Sequence, residues 1–150
     1  MGETGIVVAI DGPAGSGKST TARLVSRRLG YLFLDTGAMY RCLALALLRD
    51  GVDLGNGAAA AACARGVRIA FEQDGGVQQA LIDDEDVTEQ IRSAEVSQAA
   101  SRVAAHPEVR QVLVARQQEI GGQGGIVAEG RDTGTAVFPG AELKVFLDAA

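Results

Sequence analysis

The chain has 150 residues, 47% of them hydrophobic and 22% charged, which excludes general disorder and leaves room for one domain with at most a small appended lobe. Nineteen acidic against fourteen basic side chains give a net charge of −5, which makes the chain a poor candidate for non-specific binding to nucleic acid, because few phosphate counterions could be released, and leaves room only for local basic pockets. Met1 to Gly5 lacks the basic and apolar regions of an export signal, and the longest apolar run, Leu43 to Leu48, is far below the roughly 18 residues of a membrane span.

Ile6 to Ile10 is a short apolar run rich in β-branched residues, the pattern of a strand buried on both faces of a parallel sheet. It runs into Asp11-Gly12-Pro13-Ala14-Gly15-Ser16-Gly17, which no strand could continue. From Lys18 the period becomes helical, with Ala22, Val25 and Leu29 on one face and Gly30 as the stop. Tyr31 to Leu34 is a second strand, and Thr36 is placed to cap a second helix through Met39, Leu43 and Leu47, closed by Gly51. Strand, loop, helix, strand, helix is the order of a doubly wound α/β sheet.

The middle of the chain departs from that order. Asn56 to Arg65 is an alanine-rich helix, Val67, Ile69 and Phe71 alternate with polar residues, and Asp74-Gly75-Gly76 turns the chain into a second arm, Val77 to Ile82. Asp83 to Asp86 is expected to be a solvated acidic loop. Ser93 caps the next helix, with Val96, Ala100 and Val103 inward; Pro107 starts another through Val109, Val112, Leu113 and Ile120. Gly121 to Gly125 reads as a flexible connector. Ile126 to Ala128 is a third parallel-type strand and Leu143 to Leu147 a fourth. The expected organisation is a core of residues 1–55 and 93–150 around an inserted lobe, 56–92, built on a β-hairpin. A last strand with no helix after it leaves one sheet face uncovered, which suggests an incomplete chain.

Gly12 to Ser19 matches G-x-x-x-x-G-K-[ST], the phosphate-binding loop, with the strand before and the helix after that the motif requires. Its glycines let backbone N–H groups turn toward phosphates, and the following helix adds its positive N-terminal dipole. The expected nucleotide site is Gly12, Pro13, Ala14, Gly15, Ser16, Gly17, Lys18, Ser19 and Thr20, with Lys18 on the β- and γ-phosphates and the Ser19 hydroxyl on Mg²⁺. The loop alone does not choose between a switch, a motor, a synthetase and a small-molecule kinase. Arg41, early on the second helix, is placed either to grip a second phosphate or to sit in solvent. Glu129-Gly130-Arg131-Asp132, at the tip of the third strand, suits phosphate and hydroxyl recognition or a structural ion pair. His106, the only histidine, reads as a cap or surface residue. Cys42 and Cys63 lack CxxC spacing and histidine partners, so they read as reduced core thiols of a cytoplasmic chain.

Four segments in order, IDGPAGSGKST, LDTGAMYR, AEGRDTGTAVFPGA and LKVFLDA, resemble the bacterial cytidylate kinases, P-loop nucleoside monophosphate kinases that phosphorylate CMP and dCMP. The similarity runs from Ile6 to Ala149, and the 67–92 hairpin matches the enlarged monophosphate-binding lobe of that family. The resemblance implies ATP as phosphoryl donor with Mg²⁺, and CMP or dCMP as acceptor. It also implies that Arg41 and Arg131 hold the acceptor phosphate, that Ser101 and Arg110 read the cytosine, and that Thr36, Tyr40 and Asp132 complete the pocket. Without the resemblance, Ser101 is an ordinary helix serine and Arg110 a surface charge. UMP or a small acid such as shikimate, or nucleotide binding without catalysis, are the competing expectations, and a monomer with small-molecule partners is the expected state.

Overall fold

The computed structural model describes residues 5–13, 15–74 and 77–148, and of Gln73, Asp74 and Val77 only the backbone. The elements are β1 (Val7–Asp11), α1 (Lys18–Leu29), β2 (Leu32–Asp35), α2 (Thr36–Arg49), α3 (Gly57–Gly66), β3 (Ile69–Asp74), β4 (Val77–Ile82), β5 (Glu85–Asp86), α4 (Ala94–Ala104), α5 (Pro107–Gly121), β6 (Ile126–Gly130) and β7 (Leu143–Phe146). A π-helical turn, Thr133–Val137, follows β6. Four strands form a parallel sheet in the order β2-β6-β1-β7, and three form a separate antiparallel sheet, β3-β4-β5. The fold is therefore α/β, a P-loop type parallel sheet with a small antiparallel insertion, as expected. Among the described residues no helix is long and apolar enough to cross a membrane.

The chain divides into two compact units, residues 1–37 with 114–150, and residues 38–113, so the second is wider than the 56–92 segment expected to form the lobe. In the first unit every residue of β6 is buried, which explains why the run is continuously apolar up to Glu129. Val8, Ile10, Ala22, Phe33 and Val127 make one core cluster, with Val25, Tyr31, Val145 and Leu147 against it. The buried face of α1 is Ala22 and Ser26, while Leu29 is half exposed beside the Gly30 cap, so the expected i, i+7 stripe shortens by one turn. The Gly30 N–H and the Tyr31 N–H both return to the last turn of α1, on Arg27 and Ser26. Residues 121–125 are not a loose connector: Gly124 N–H donates to the Gly121 carbonyl, Gly125 N–H to Ile6, and the Gly125 carbonyl accepts from Leu32. They lock the entry to β6 against the entry to β1. Edge strand β7 is much less covered than β6, with Phe146 68% exposed.

In the second unit Met39, Leu43 and Leu47 of α2 are fully buried, and so are Val103 of α4 and Val109 and Leu113 of α5, at the helical spacing expected. The capping serine also stands: Ser93 Oγ accepts from Val96 N–H at 3.1 Å. The β3–β4 arms pair in register from Ile69↔Ile82 to Asp74↔Val77; the turn glycines Gly75 and Gly76 lie outside the described residues. The acidic stretch is a turn and a strand rather than a loop throughout. Asp83 and Asp84 both have positive φ, 48° and 72°, and Glu85–Asp86 then pairs back onto β4. Short polar side chains tolerate that conformation, and Arg68 holds it by donating from its backbone to Asp83 and from its guanidinium to Asp84. His106 is a structural tie, its Nε2–H donating to the Leu54 carbonyl at 2.8 Å. Burial first, then Asp50 and Asp83, push the Cys63 thiol pKa up, which keeps it protonated near neutrality.

Candidate nucleotide and phosphate site

In the first unit the residues that carry chemistry converge because three parallel strands end together. Asp11 of β1 pairs with Gly130 of β6, and Asp35 of β2 pairs with Glu129, so the loops that follow all leave from the carboxyl edge of the sheet. The phosphate-binding loop leaves from β1. Gly15 and Gly17 have φ of 80° and 84°, and a Cβ built on either would meet nothing within 4 Å. Glycine adopts this left-handed conformation without strain, and the open space beside it fits a phosphate cradle. Ser16 Oγ is buried there with no protein hydrogen-bond partner. Pro13, Gly15, Gly17, Ser19 and Thr20 are exposed and Gly12 is buried; Ala14 lies outside the described residues.

Lys18, in the first turn of α1, reaches back across the sheet edge. Its Nζ is 3.6 Å from the Glu129 carboxylate, which is 4% exposed. A carboxylate so buried needs a cation, and Lys18 supplies it. Of the two readings of the 129–132 segment, the structural ion pair applies to Glu129, which pairs with Lys18, while Arg131 is exposed. Thr36 does not cap α2 through its hydroxyl. Its Oγ1 donates to the Glu129 carbonyl at 2.9 Å, because Gly130 brings β6 so close that a Cβ there would overlap Thr36 Oγ1.

The largest departure from expectation is at Asp11, the residue just before the phosphate loop and 8% exposed. Its Oδ1 accepts from the Thr133 N–H (2.7 Å) and the Thr133 hydroxyl (2.6 Å), and its Oδ2 from the Gly134 N–H (2.8 Å). Asp11 thereby caps the π-helical turn after Arg131 and Asp132, whose carbonyl accepts from Ala136 N–H at 2.8 Å. Losing the carboxylate would strand buried donors at about 1–3 kcal/mol each. Asp11 and Thr133 were not among the expected site residues, and Glu129 was singled out only as part of the 129–132 segment. The available signal was acidic residues at the ends of continuously apolar strands, where a charge must find partners.

The second unit holds the other expected residues. Tyr40 and Arg41 are half-buried in the first turns of α2. Ser101 is exposed on α4, its hydroxyl donating to the Ser97 carbonyl at 3.3 Å, and Arg110 is exposed on the first turn of α5. A crevice of about 430 Å³ in this unit is lined by Arg49, Asp50, Cys63, Ile82, Asp83 and Glu85, and by none of the expected substrate residues.

A parallel sheet whose first strand passes through a glycine-rich loop into a helix, with a lysine in the first turn of that helix, defines a P-loop nucleotide-binding protein. The chain matches the cytidylate kinase family over residues 8–150. It is 46% identical to a cytidylate kinase of Citrifermentans bemidjiense over 99% of this chain and 64% of that protein. It is 51% identical to one from Pelotomaculum thermopropionicum over 95% of this chain and 64% of that protein. A bifunctional pantoate ligase/cytidylate kinase of Parasynechococcus marenigrum is also 51% identical, over 95% of this chain and 29% of that protein. The chain belongs to the cytidylate kinase family, and it spans 64% of the length of the first two of these relatives.

Proposed function

We propose that the protein transfers the γ-phosphoryl group of ATP to CMP or dCMP. The observation that carries this reading is the phosphate loop followed by Lys18, whose ammonium lies 3.6 Å from Glu129, in a chain of the cytidylate kinase family. The acceptor phosphate is already anionic and needs no strong base, so the work is positioning and charge neutralisation. Gly12 to Thr20 hold the donor phosphates, with Lys18 at the transferring group. Arg41 and Arg131 hold the acceptor phosphate. Ser101 and Arg110 read the cytosine, and Thr36, Tyr40 and Asp132 close around the nucleoside. Ser19, an exposed hydroxyl in the first turn of α1, fits a Mg²⁺ held mainly by phosphate oxygens, since among the described residues no three acidic, cysteine or histidine side chains gather to hold a metal. Bound there, the ion would neutralise charge on the donor phosphates.

The same reading takes the core as 1–55 with 93–150 and the monophosphate lobe as 56–92. It makes the protein a cytoplasmic monomer whose partners are small molecules; a net charge of −5 supports the absence of a nucleic-acid partner. A coupled assay of ADP release with CMP, dCMP, UMP and AMP in parallel tests it. ADP release dependent on CMP or dCMP is the expected result. Release with UMP or AMP alone, or ATP binding without turnover on any acceptor, overturns it.

A further inference from the structure

We infer that Asp11 is a positioning residue for the acceptor, setting Arg131 and Asp132 through the π-helical turn that follows them. The inference rests on the proposed binding of CMP by those two residues. Arg131 and Asp132 form a two-residue span, and Asp11 pins both of its ends. On one side the Asp11 backbone is paired with Gly130, the last residue of β6. On the other its carboxylate takes Thr133 N–H, the Thr133 hydroxyl and Gly134 N–H, at 2.6–2.8 Å. Asp11 is itself held on both flanks, as the last residue of an interior strand whose carbonyl accepts from Leu147 N–H at 2.8 Å. A long exposed arginine grips an anion well only from a fixed backbone, since each loose torsion is freedom lost on binding. The clamp also demands a carboxylate. All three groups facing it are donors, so an amide would set its own NH₂ against one of them.

Thr133 lets this be separated from any effect of Asp11 on the adjoining phosphate loop. Thr133 is fully buried and contributes the one side-chain donor of the clamp. Isothermal titration of the purified protein with CMP and, separately, with ATP gives the test, alongside thermal unfolding of each variant. Asp11→Asn is expected to weaken CMP binding at least tenfold while ATP affinity stays within threefold. Thr133→Val is expected to weaken CMP binding about fivefold with ATP unchanged, and Thr133→Ser, which restores the hydroxyl, to return it to within twofold of the wild type. Should Asp11→Asn not fold, the Thr133 pair decides. Equal losses for CMP and ATP, or CMP affinity unchanged in folded Asp11→Asn and Thr133→Val, overturn the inference while leaving the proposed function standing. A wild-type protein that binds ATP and not CMP overturns the proposed function, and the inference with it.

Discussion

Lys18 carries the largest single expectation at the scale of one residue. Its ammonium lies 3.6 Å from a nearly buried carboxylate, so the side chain is set before any nucleotide arrives. Lys18→Ala should lower kcat for CMP by about 100-fold or more, the usual cost of removing one preorganised charge or donor from a transition state. Steady-state kinetics that retain most of kcat would sink the assignment. Arg110→Met bears on the other substrate. It should raise the Kd for CMP and spare that for ATP, and unchanged CMP affinity by titration would remove Arg110 from base reading. The two expectations differ in origin. Lys18 was legible from spacing and chemistry, because the motif fixes its distance from the strand. Arg110 and Ser101 are proposed only through resemblance, because an exposed arginine or serine on a helix has no local pattern that separates it from a solvated side chain.

Elements owe their ends to a few hydrogen bonds, and two of these are open to measurement. Ser93→Ala removes the acceptor for Val96 N–H and should cost about 1 kcal/mol, seen as a lower urea midpoint with an unchanged slope. The β5 strand ends in a local motif in which Asp86 Oδ1 accepts from both the N–H and the hydroxyl of Thr88. Hydrogen bonds from Thr88 hold the Asp86 carboxyl below the usual aspartate range. A pKa depressed on folding contributes stability above the ordinary aspartate value, and that contribution is lost as pH falls through the folded value. NMR titration should find Asp86 low in the wild type and moved back up in Thr88→Val. The hairpin arms were legible from their alternation. The third strand was not, because a two-residue strand has no period and acidic residues are poor strand formers. Asp83 and Asp84 turn the chain at positive φ, and only the pairing to β4 shows that a strand follows.

For the whole molecule, binding and stability are linked. If CMP binds the folded chain alone, then CMP at 100 times its Kd should stabilise it by about 2.7 kcal/mol and raise the unfolding midpoint by several degrees. ATP should do the same on its own, and UMP should do so much less at equal concentration. Calorimetric scans in which CMP leaves the midpoint unmoved would contradict the acceptor assignment. The two compact units make a finer version available, because hydrogen exchange can report protection within residues 38–113 separately from the rest.

Sequence alone determined the architecture and the phosphate-loop motif. Short apolar runs rich in β-branched residues and bounded by glycine-rich turns read as strands buried on both faces, and the phosphate loop is local, its residue types and spacing being dictated by one turn of backbone around one group of phosphates. What tertiary structure decided lies between distant segments. That Asp11 clamps Thr133 and Gly134, 122 and 123 residues away, and that Glu129 meets Lys18, follow from β6 lying beside β1. No periodicity encodes which strand neighbours which, because every buried strand shows the same apolar pattern; the pairing is chosen by packing across the whole sheet.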